Sequence, residues 1–167
     1  MKNNITLIGM PGCGKSTIGV VLAKTAGKNF VDTDILIQER ECELLQNIID
    51  NRGIEYFKKV EEEVLTEFRE DNCVIATGGS AVYYQSAMAN FREQGLIVYI
   101  QLSFETIKSR LANIKTRGII LEAGQTLEGL YKERIPLYEK YADVVIEGED
   151  KDVEQIVSEI LKLDFRH

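Results

Sequence analysis

The sequence has few of the residues that build disulfide frameworks and zinc sites. It contains three cysteines, Cys13, Cys42 and Cys73, and a single histidine, His167, and their spacing matches no metal-binding motif. An odd number of widely separated cysteines argues against a disulfide scaffold and predicts a reducing, cytoplasmic location. Cys13 lies in a glycine-rich loop, where we interpret it as a small residue tolerated in a tight turn rather than as a redox switch.

Long apolar runs and an excess of cations are also missing. No stretch approaches the roughly 20 apolar residues of a membrane span, and the segment MKNNITLIGM has no signal-peptide pattern. The 20 Lys and Arg against 27 Asp and Glu leave a net charge of −7. Because such a chain repels polyanions, we expect no nucleic acid and no membrane partner. A small anionic ligand would need a local concentration of cations.

The length and composition are typical of one globular domain. The 167 residues are 44% hydrophobic and 28% charged, which is enough to form a buried core and argues against disorder. No repeat, linker or low-complexity tract divides the chain. We therefore expect a single domain over residues 1–167 that acts as a monomer.

Apolar runs separated by helical patterns predict an α/β fold. Five runs read as strands, at residues 5–8, 30–33, 74–77, 96–102 and 143–147. Several are continuous rather than alternating, as in strands covered on both faces. The alternation predicts a five-stranded parallel sheet with helices on both faces, in three layers, and a ligand beyond the carboxyl ends of the strands.

Two segments interrupt this alternation. Residues 34–72 are more than one crossover helix requires, so we predict that this insertion holds the pocket for a substrate. Residues 113–126, NIKTRGIILEAGQT, are polar, contain two glycines and lack a clear period. Such a segment is typical of a mobile loop, and we predict a lid there.

The motif GMPGCGKS at residues 9–16 satisfies G-x-x-x-x-G-K-[ST], directly after a strand and before a helical pattern. Around Gly12, Cys13 and Gly14 the backbone N–H groups can turn inward onto phosphate oxygens, aided by the helix N-terminus. Lys15 would reach the β- and γ-phosphates, and Ser16 would hold Mg²⁺. An ordinary glycine turn before a helix is the alternative, but the complete motif with both flanks favours phosphate binding.

Asp32 and Asp34 are two residues apart at the end of a predicted strand, so in an extended chain they face the same way. Beside a phosphate loop, one could hold the metal through water while the other orients and deprotonates an attacking hydroxyl. The alternative is a turn capped by aspartates, in which Asp34 is the N-cap of the next helix.

Arg134 falls within an apolar helical stripe made of Leu127, Leu130, Tyr131, Tyr138 and Tyr141. A guanidinium on a buried face needs an anionic ligand or a full set of acceptors, and an internal salt bridge would serve equally well. Pro136 is expected to disturb this helix, which leaves the facing of Arg134 open.

Other positions also have a functional and a plain interpretation. The segment TGGS at residues 77–80 could bring backbone close to a ligand or be an ordinary loop. Lys58 and Glu61 are three apart on the polar face of a helix and could form a surface ion pair. Arg110 and Arg117, beside and within the predicted lid, are by default solvated charges.

Taken in order, these elements resemble the shikimate kinases, within the nucleoside-monophosphate-kinase-like P-loop enzymes. The matching segments are GMPGCGKSTIG, FVDTD, GIEYFKKVEEEVL, VIATGGSAV, VYIQL with a later R, TRGII and ERIPLYEKYADVVIE, which run through nearly the whole chain. The resemblance implies transfer of the γ-phosphoryl of ATP, with Mg²⁺, to shikimate to give shikimate 3-phosphate in aromatic amino acid biosynthesis. A kinase for another small hydroxylated substrate such as gluconate or a nucleotide, and a non-catalytic nucleotide-binding regulator, remain as alternatives.

The resemblance implies two groups of residues on the nucleotide side. Lys15, Ser16 and Thr17 would serve ATP and Mg²⁺, with Asp32 helping to hold the metal. Arg110 is similar to the residue that lies beside adenine.

On the acceptor side, the resemblance implies that Asp34 binds the acceptor hydroxyls and acts as the base. Gly78 and Gly79 would bring backbone to the acceptor, and Arg134 would bind its carboxylate. Arg117 is similar to the lid arginine that reaches the transferring phosphate.

Three positions depart from the family's pattern. Lys58 stands where the family usually has arginine, Ser80 replaces a third glycine, and RGII replaces the lid's usual RPLL. We expect Lys58 and Ser80 to line the acceptor pocket. A lysine lacks the bidentate geometry of arginine, so these changes leave phosphoryl transfer intact but put the identity or the affinity of the acceptor in question.

Overall fold

A five-stranded parallel sheet with the order β2-β3-β1-β4-β5 forms the centre of the molecule. The structure is a computed structural model that describes residues 3–113, 119 and 121–163. The strands are β1 (Asn4–Ile8), β2 (Asn29–Asp32), β3 (Cys73–Ala76), β4 (Gly95–Gln101) and β5 (Val144–Glu147). Each begins and ends within one residue of the apolar run that predicted it. The predicted sheet is therefore confirmed.

Helices cover both faces of this sheet. They are α1 (Lys15–Ala26), α2 (Thr33–Glu41), α3 (Leu45–Arg52), α4 (Ile54–Glu67), α5 (Gln85–Gln94), α6 (Phe104–Ala112), α7 (Leu127–Tyr141) and α8 (Val153–Leu161). The β1–β2 and β3–β4 crossovers run in opposite directions across the sheet, so right-handed connections place α1 and α5 on opposite faces. Helix α8 packs against α1. None of the described helices is both long and apolar enough to cross a membrane.

The segment between β2 and β3 folds into α2, α3 and α4 around a small apolar cluster of its own. The cluster consists of Ile37, Ile48, Phe57, Val60 and Val64. The apolar stripe of α4 faces this cluster, and the opposite side of the helix is charged and exposed. The three helices share this cluster and follow the carboxyl end of β2. They therefore lie beside the phosphate loop, at the same edge of the sheet.

Helix α7 is continuous from Leu127 to Tyr141 and includes Pro136 without a break. Pro136 is exposed, so water can replace the backbone hydrogen bond that proline cannot donate. The expectation that this proline disturbs the helix is therefore wrong, and Arg134 is buried as the stripe predicts. Of the predicted lid, residues 113–126, residues 114–118 and 120 lie outside the described residues, and residues 121–126 lead into α7.

Candidate active site

The phosphate loop, the end of β2 and the segment after β3 meet around one cavity of about 680 Å³, named here the central cavity. These segments follow β1, β2 and β3, which are neighbours in the sheet, so their carboxyl ends open onto the same edge. Helices α4 and α7 supply further residues to the cavity wall. The predicted location of the ligand at the carboxyl ends of the strands agrees with this cavity.

The phosphate loop, residues 9–16, wraps around the ammonium group of Lys15. Gly12 and Gly14 have φ of 80° and 97°, a left-handed conformation that favours glycine. The buried Nζ of Lys15 donates to the carbonyl oxygens of Gly9 at 2.7 Å and Met10 at 2.9 Å. No salt bridge within the described part of the chain includes Lys15. A buried cation in a loop of inward-turned backbone fits a polyphosphate ligand.

The remaining residues predicted for the nucleotide lie on or beside this loop. Cys13 is buried, and its Sγ accepts from Lys15 Nζ at 3.6 Å. Arg110 of α6 places Nη1 3.4 Å from the carbonyl oxygens of Gly12 and Cys13. Thr17 is exposed in the first turn of α1. Arg110 and Thr17 therefore border the loop but are not among the residues that line the central cavity.

Asp32 joins the phosphate loop to the start of α2. Its Oδ2 accepts from Ser16 Oγ at 3.1 Å, and its Oδ1 accepts from the backbone N–H of Asp34 at 2.9 Å. Asp32 is thus the N-cap of α2, and the alternative that Asp34 is the N-cap is wrong. A hydroxyl and a carboxylate in direct contact beside a phosphate loop fit the hard-oxygen preference of Mg²⁺.

Asp34 lies in the first turn of α2 rather than in extended chain, because the helix begins at Thr33. The argument that Asp32 and Asp34 face the same way as alternate residues of a strand therefore does not hold. Both still line the central cavity. A Cβ built on Gly78 would lie 3.1 Å from Asp34 Oδ1, so the carboxylate of Asp34 packs closely against the segment after β3.

Arg134 is a buried guanidinium that forms no direct salt bridge among the described residues, although the carboxyl group of Glu61 interacts with it electrostatically from a longer distance. Its exposed fraction is 7%, and the salt bridges of the described chain do not include it. The guanidinium lies 5.4 Å from the ring centroid of Tyr83, and its Nε donates to the Tyr83 hydroxyl at 3.4 Å. The alternative of a direct internal salt bridge is not found there, so the guanidinium can still contact an anionic ligand directly.

Gly79 lies between the phosphate loop and Arg134. A Cβ at this position would be 2.7 Å from Pro11 Cδ and 2.8 Å from Arg134 Nη1, closer than packing allows. The carbonyl oxygen of Gly79 accepts from the hydroxyl of the fully buried Tyr138 at 2.7 Å. The Tyr138 ring in turn stacks on Tyr99 at a centroid distance of 5.1 Å. The backbone of this segment is therefore held in place from α7.

Glu61 is the residue of the cavity that the sequence interpretation missed. It is buried, and its Oε1 accepts from Ser80 Oγ at 2.6 Å. Burial raises the pKa of Glu61, and hydrogen bonds from Ser80 and Tyr84 offset part of that increase. The alternative of a surface ion pair between Lys58 and Glu61 is wrong, because Glu61 is buried and Lys58 pairs with other acids. Glu61 lies four residues after Phe57 on α4 and therefore falls within the apolar stripe. This position was the sequence signal that Glu61 is buried.

Lys58 lines the central cavity but pairs with other acids. Its Nζ lies 2.9 Å from Glu122 Oε1 and 3.5 Å from Glu55 Oε1. The hydrogen bond to Glu122 is the main cause of a raised pKa for Lys58, and the same bond lowers the pKa of Glu122. Both groups are therefore charged at neutral pH.

The structure brings most of the predicted site residues to one place, while Arg117 lies outside the described residues. Predicted residues that line the central cavity are Gly14, Lys15, Ser16, Asp32, Asp34, Lys58, Gly78, Gly79, Ser80 and Arg134. A phosphate loop with a buried ammonium shares this cavity with carboxylates and a buried guanidinium. Such an arrangement suits phosphoryl transfer from a nucleotide to a hydroxyl of an anionic acceptor.

Comparison with known proteins agrees with this chemistry. The family model for shikimate kinase matches residues 11–164. A shikimate kinase of Clostridium botulinum (strain Eklund 17B / Type B) is 37% identical over 166 residues, which are 98% of this chain and 98% of the relative. The solved shikimate kinase from Acinetobacter baumannii in complex with shikimate superposes with a TM-score of 0.86 at 30% identity, covering 96% of this chain and 92% of that one. For the enzyme from Aquifex aeolicus the TM-score is 0.81 at 35% identity, covering 95% and 94%. This chain therefore belongs to the shikimate kinase family, whose members are phosphotransferases that use ATP and Mg²⁺.

Proposed function

We propose that this chain transfers the γ-phosphoryl group of ATP to the 3-hydroxyl of shikimate. The observation that carries the proposal is the buried Arg134, which forms no direct salt bridge among the described residues and lines the same cavity as the phosphate loop. A guanidinium in that position calls for a planar anion such as the carboxylate of shikimate. The relative from Acinetobacter baumannii, which was solved in complex with shikimate, supports this choice of acceptor.

On the nucleotide side, the backbone of residues 12–14 and the ammonium of Lys15 would hold the phosphates. The ammonium is already inside the loop, where it donates to the Gly9 carbonyl at 2.7 Å. To bind a phosphate oxygen, it would only have to exchange this carbonyl for the phosphate. Ser16 and Asp32 would hold Mg²⁺, which when bound neutralises charge on the phosphates. Thr17 would support the phosphates, and Arg110 would lie beside the base.

On the acceptor side, Asp34 would orient the attacking hydroxyl and take its proton. Its carboxylate packs against Gly78, so the hydroxyl would be held between a side chain of α2 and the backbone after β3. Gly79 would present backbone to the acceptor because no side chain fits between Pro11 and Arg134. For Arg117, which the structure does not describe, the resemblance supports contact with the transferring phosphate.

Ser80 and Lys58 would complete the acceptor pocket. Ser80 uses its hydroxyl to hold the buried Glu61, so it adds little bulk to the open part of the cavity. Lys58 supplies a second cation near the acceptor, as a point charge rather than a bidentate group. These contacts are compatible with shikimate as the acceptor.

We also propose that the whole chain works as one kinase domain, a monomer in the cytoplasm. Residues 34–72 would form the acceptor-binding part, and residues 113–126 would form the lid. The three cysteines are free thiols, which agrees with a reducing compartment.

A coupled assay of ADP release with a panel of acceptors tests the proposal. The panel holds shikimate, gluconate, a nucleoside monophosphate and no acceptor, each with ATP and Mg²⁺. We expect turnover above the no-acceptor rate with shikimate and not with the others, and an Arg134→Met variant serves as the matched control. Faster turnover with gluconate or with the nucleotide would contradict the proposed acceptor, and ADP release independent of every acceptor would contradict the kinase assignment for this chain.

A further inference from the structure

Lys58 is held by an acid that comes from a distant part of the chain. Lys58 lies on α4, and Glu122 lies 64 residues later, just before α7. Their charged groups are 2.9 Å apart, and both residues line the central cavity. The cation that could meet an acceptor carboxylate therefore already has a carboxylate partner within the same cavity.

Glu122 owes its position to a backbone turn. The N–H of Gln125 donates to the Glu122 carbonyl at 2.9 Å, and the Glu122 N–H donates to Gln125 Oε1 at 3.3 Å. Gly124 takes the left-handed conformation that this turn requires, with φ of 81°. Thr126 then caps α7, the helix that carries Arg134. The turn thus places Glu122 at the cavity wall next to the helix that supplies the other cation.

We infer that Glu122 sets the affinity for the acceptor by competing with the acceptor's carboxylate for Lys58. The inference rests on the proposed function. An ammonium is a compact charge, so two carboxylates at one lysine repel each other, and an incoming anion must displace Glu122 or share the cation at a cost. The side chain of Glu122 is 64% exposed, so its carboxylate can be hydrated when the acceptor displaces it from Lys58. The competition therefore lowers the affinity by a modest factor rather than closing the site.

Glu122→Gln tests the inference because the amide keeps the shape and removes the charge. The KM for shikimate is expected to fall about two- to fivefold, the range for an exposed ion pair, while the KM for ATP stays unchanged. Glu55→Gln is the matched control, since it removes one negative charge from the same lysine at the longer distance of 3.5 Å. Its effect on the KM for shikimate is expected to be smaller than that of Glu122→Gln.

A Lys58→Met background separates competition for the lysine from a general effect of charge. In that background Glu122→Gln is expected to leave the KM for shikimate unchanged. An unchanged or increased KM for Glu122→Gln in the wild-type background overturns the inference, as does an equal fall in the Lys58→Met background. If the wild-type chain phosphorylates shikimate while Glu122→Gln has no effect, the inference alone fails. If the wild-type chain does not phosphorylate shikimate, the proposed function fails as well.

Discussion

Removing one buried hydroxyl, that of Tyr138, is expected to weaken both the fold and the binding of the acceptor. This hydroxyl donates to the Gly79 carbonyl at 2.7 Å from within the core. Burial raises the pKa of Tyr138, so the hydroxyl stays protonated and remains a donor throughout the neutral range. In Tyr138→Phe the ring can keep its stack on Tyr99, and the change removes only the hydroxyl, which besides Gly79 also contacts Met10 Sδ at 3.7 Å and the guanidinium of Arg134.

The size of the effect follows from the carbonyl that is left behind. A buried acceptor that loses its donor costs about 1–3 kcal/mol of the free energy of unfolding. For a chain of this length each kcal/mol corresponds to about 2–4 °C in Tm. The backbone of Gly79 is packed closely between Pro11 and Arg134. A shift of this backbone therefore also moves the groups that are proposed to contact the acceptor. The KM for shikimate is therefore expected to rise several-fold while the KM for ATP changes little.

Tyr131→Phe provides the matched control on the same helix. The Tyr131 hydroxyl also donates to a backbone carbonyl, that of Leu102, at 2.9 Å. Leu102 does not line the central cavity, whereas Gly79, the partner of Tyr138, does. Thermal unfolding and steady-state kinetics of both variants separate stability from positioning. We expect both variants to lose stability and only Tyr138→Phe to change the KM for shikimate. An unchanged KM in Tyr138→Phe, or an equal increase in both variants, would refute the positioning of the acceptor site, Gly79 and Arg134 together, by the Tyr138 hydroxyl.

Three further predictions concern the charged groups of the cavity. Lys15→Ala should abolish turnover and keep the far-UV circular dichroism of the wild type, because the Lys15 ammonium contacts only loop carbonyls and the Cys13 thiol. Turnover at the wild-type rate would contradict the assignment of Lys15 to the phosphates. Asp34→Asn should lose most of kcat because an amide cannot take a proton, whereas Asp32→Asn should mainly raise the Mg²⁺ requirement, since asparagine still caps α2; identical responses to added Mg²⁺ would refute this division. Burial raises the pKa of Glu61, so the unfolded chain releases this proton at a lower pH than the folded chain. The stability of the wild type should therefore fall relative to Glu61→Gln as pH rises from the ordinary glutamate pKa, about 4.3, through the raised value, and urea titrations that run parallel at all pH values would contradict this.

Local patterns predicted the centre of the sheet well because its inner strands are buried on both faces. The residues of β1 and β3 are buried without exception, so each strand appears in the sequence as a continuous apolar run bounded by polar residues. The phosphate loop was predictable for a similar reason, since a single contiguous segment carries the whole motif. Information that lies within ten residues was sufficient in both cases.

Spacing failed where the secondary structure changed at the residue concerned. Asp32 and Asp34 look alike as alternate residues of a strand, but α2 begins between them at Thr33. One aspartate became the N-cap and the other joined the first turn, which gives them different partners. A shift of two residues in the predicted boundary was enough to reverse the capping assignment.

Contacts between distant segments were beyond reach of the sequence. Nothing near Lys58 indicates that its partner is Glu122, because a turn within the last part of the predicted lid, residues 113–126, brings that acid to the cavity. Glu61 was nearer to prediction, since it falls on the apolar stripe of α4, but its partner Ser80 comes from the segment after β3. A buried acid on such a stripe is a signal that a polar partner must come from elsewhere in the fold.

The central claim is that Arg134 binds the carboxylate of the acceptor, and a two-by-two comparison tests it most directly. The wild type and Arg134→Met are each assayed with shikimate and with shikimate methyl ester, which lacks the negative charge. We expect Arg134→Met to lower kcat/KM for shikimate by about ten- to a hundredfold, the range for a hydrogen bond to a charged group. With the ester, the two proteins are expected to differ by less than about twofold. An equal loss with both acceptors would contradict the claim, because Arg134 would then act on something other than the carboxylate.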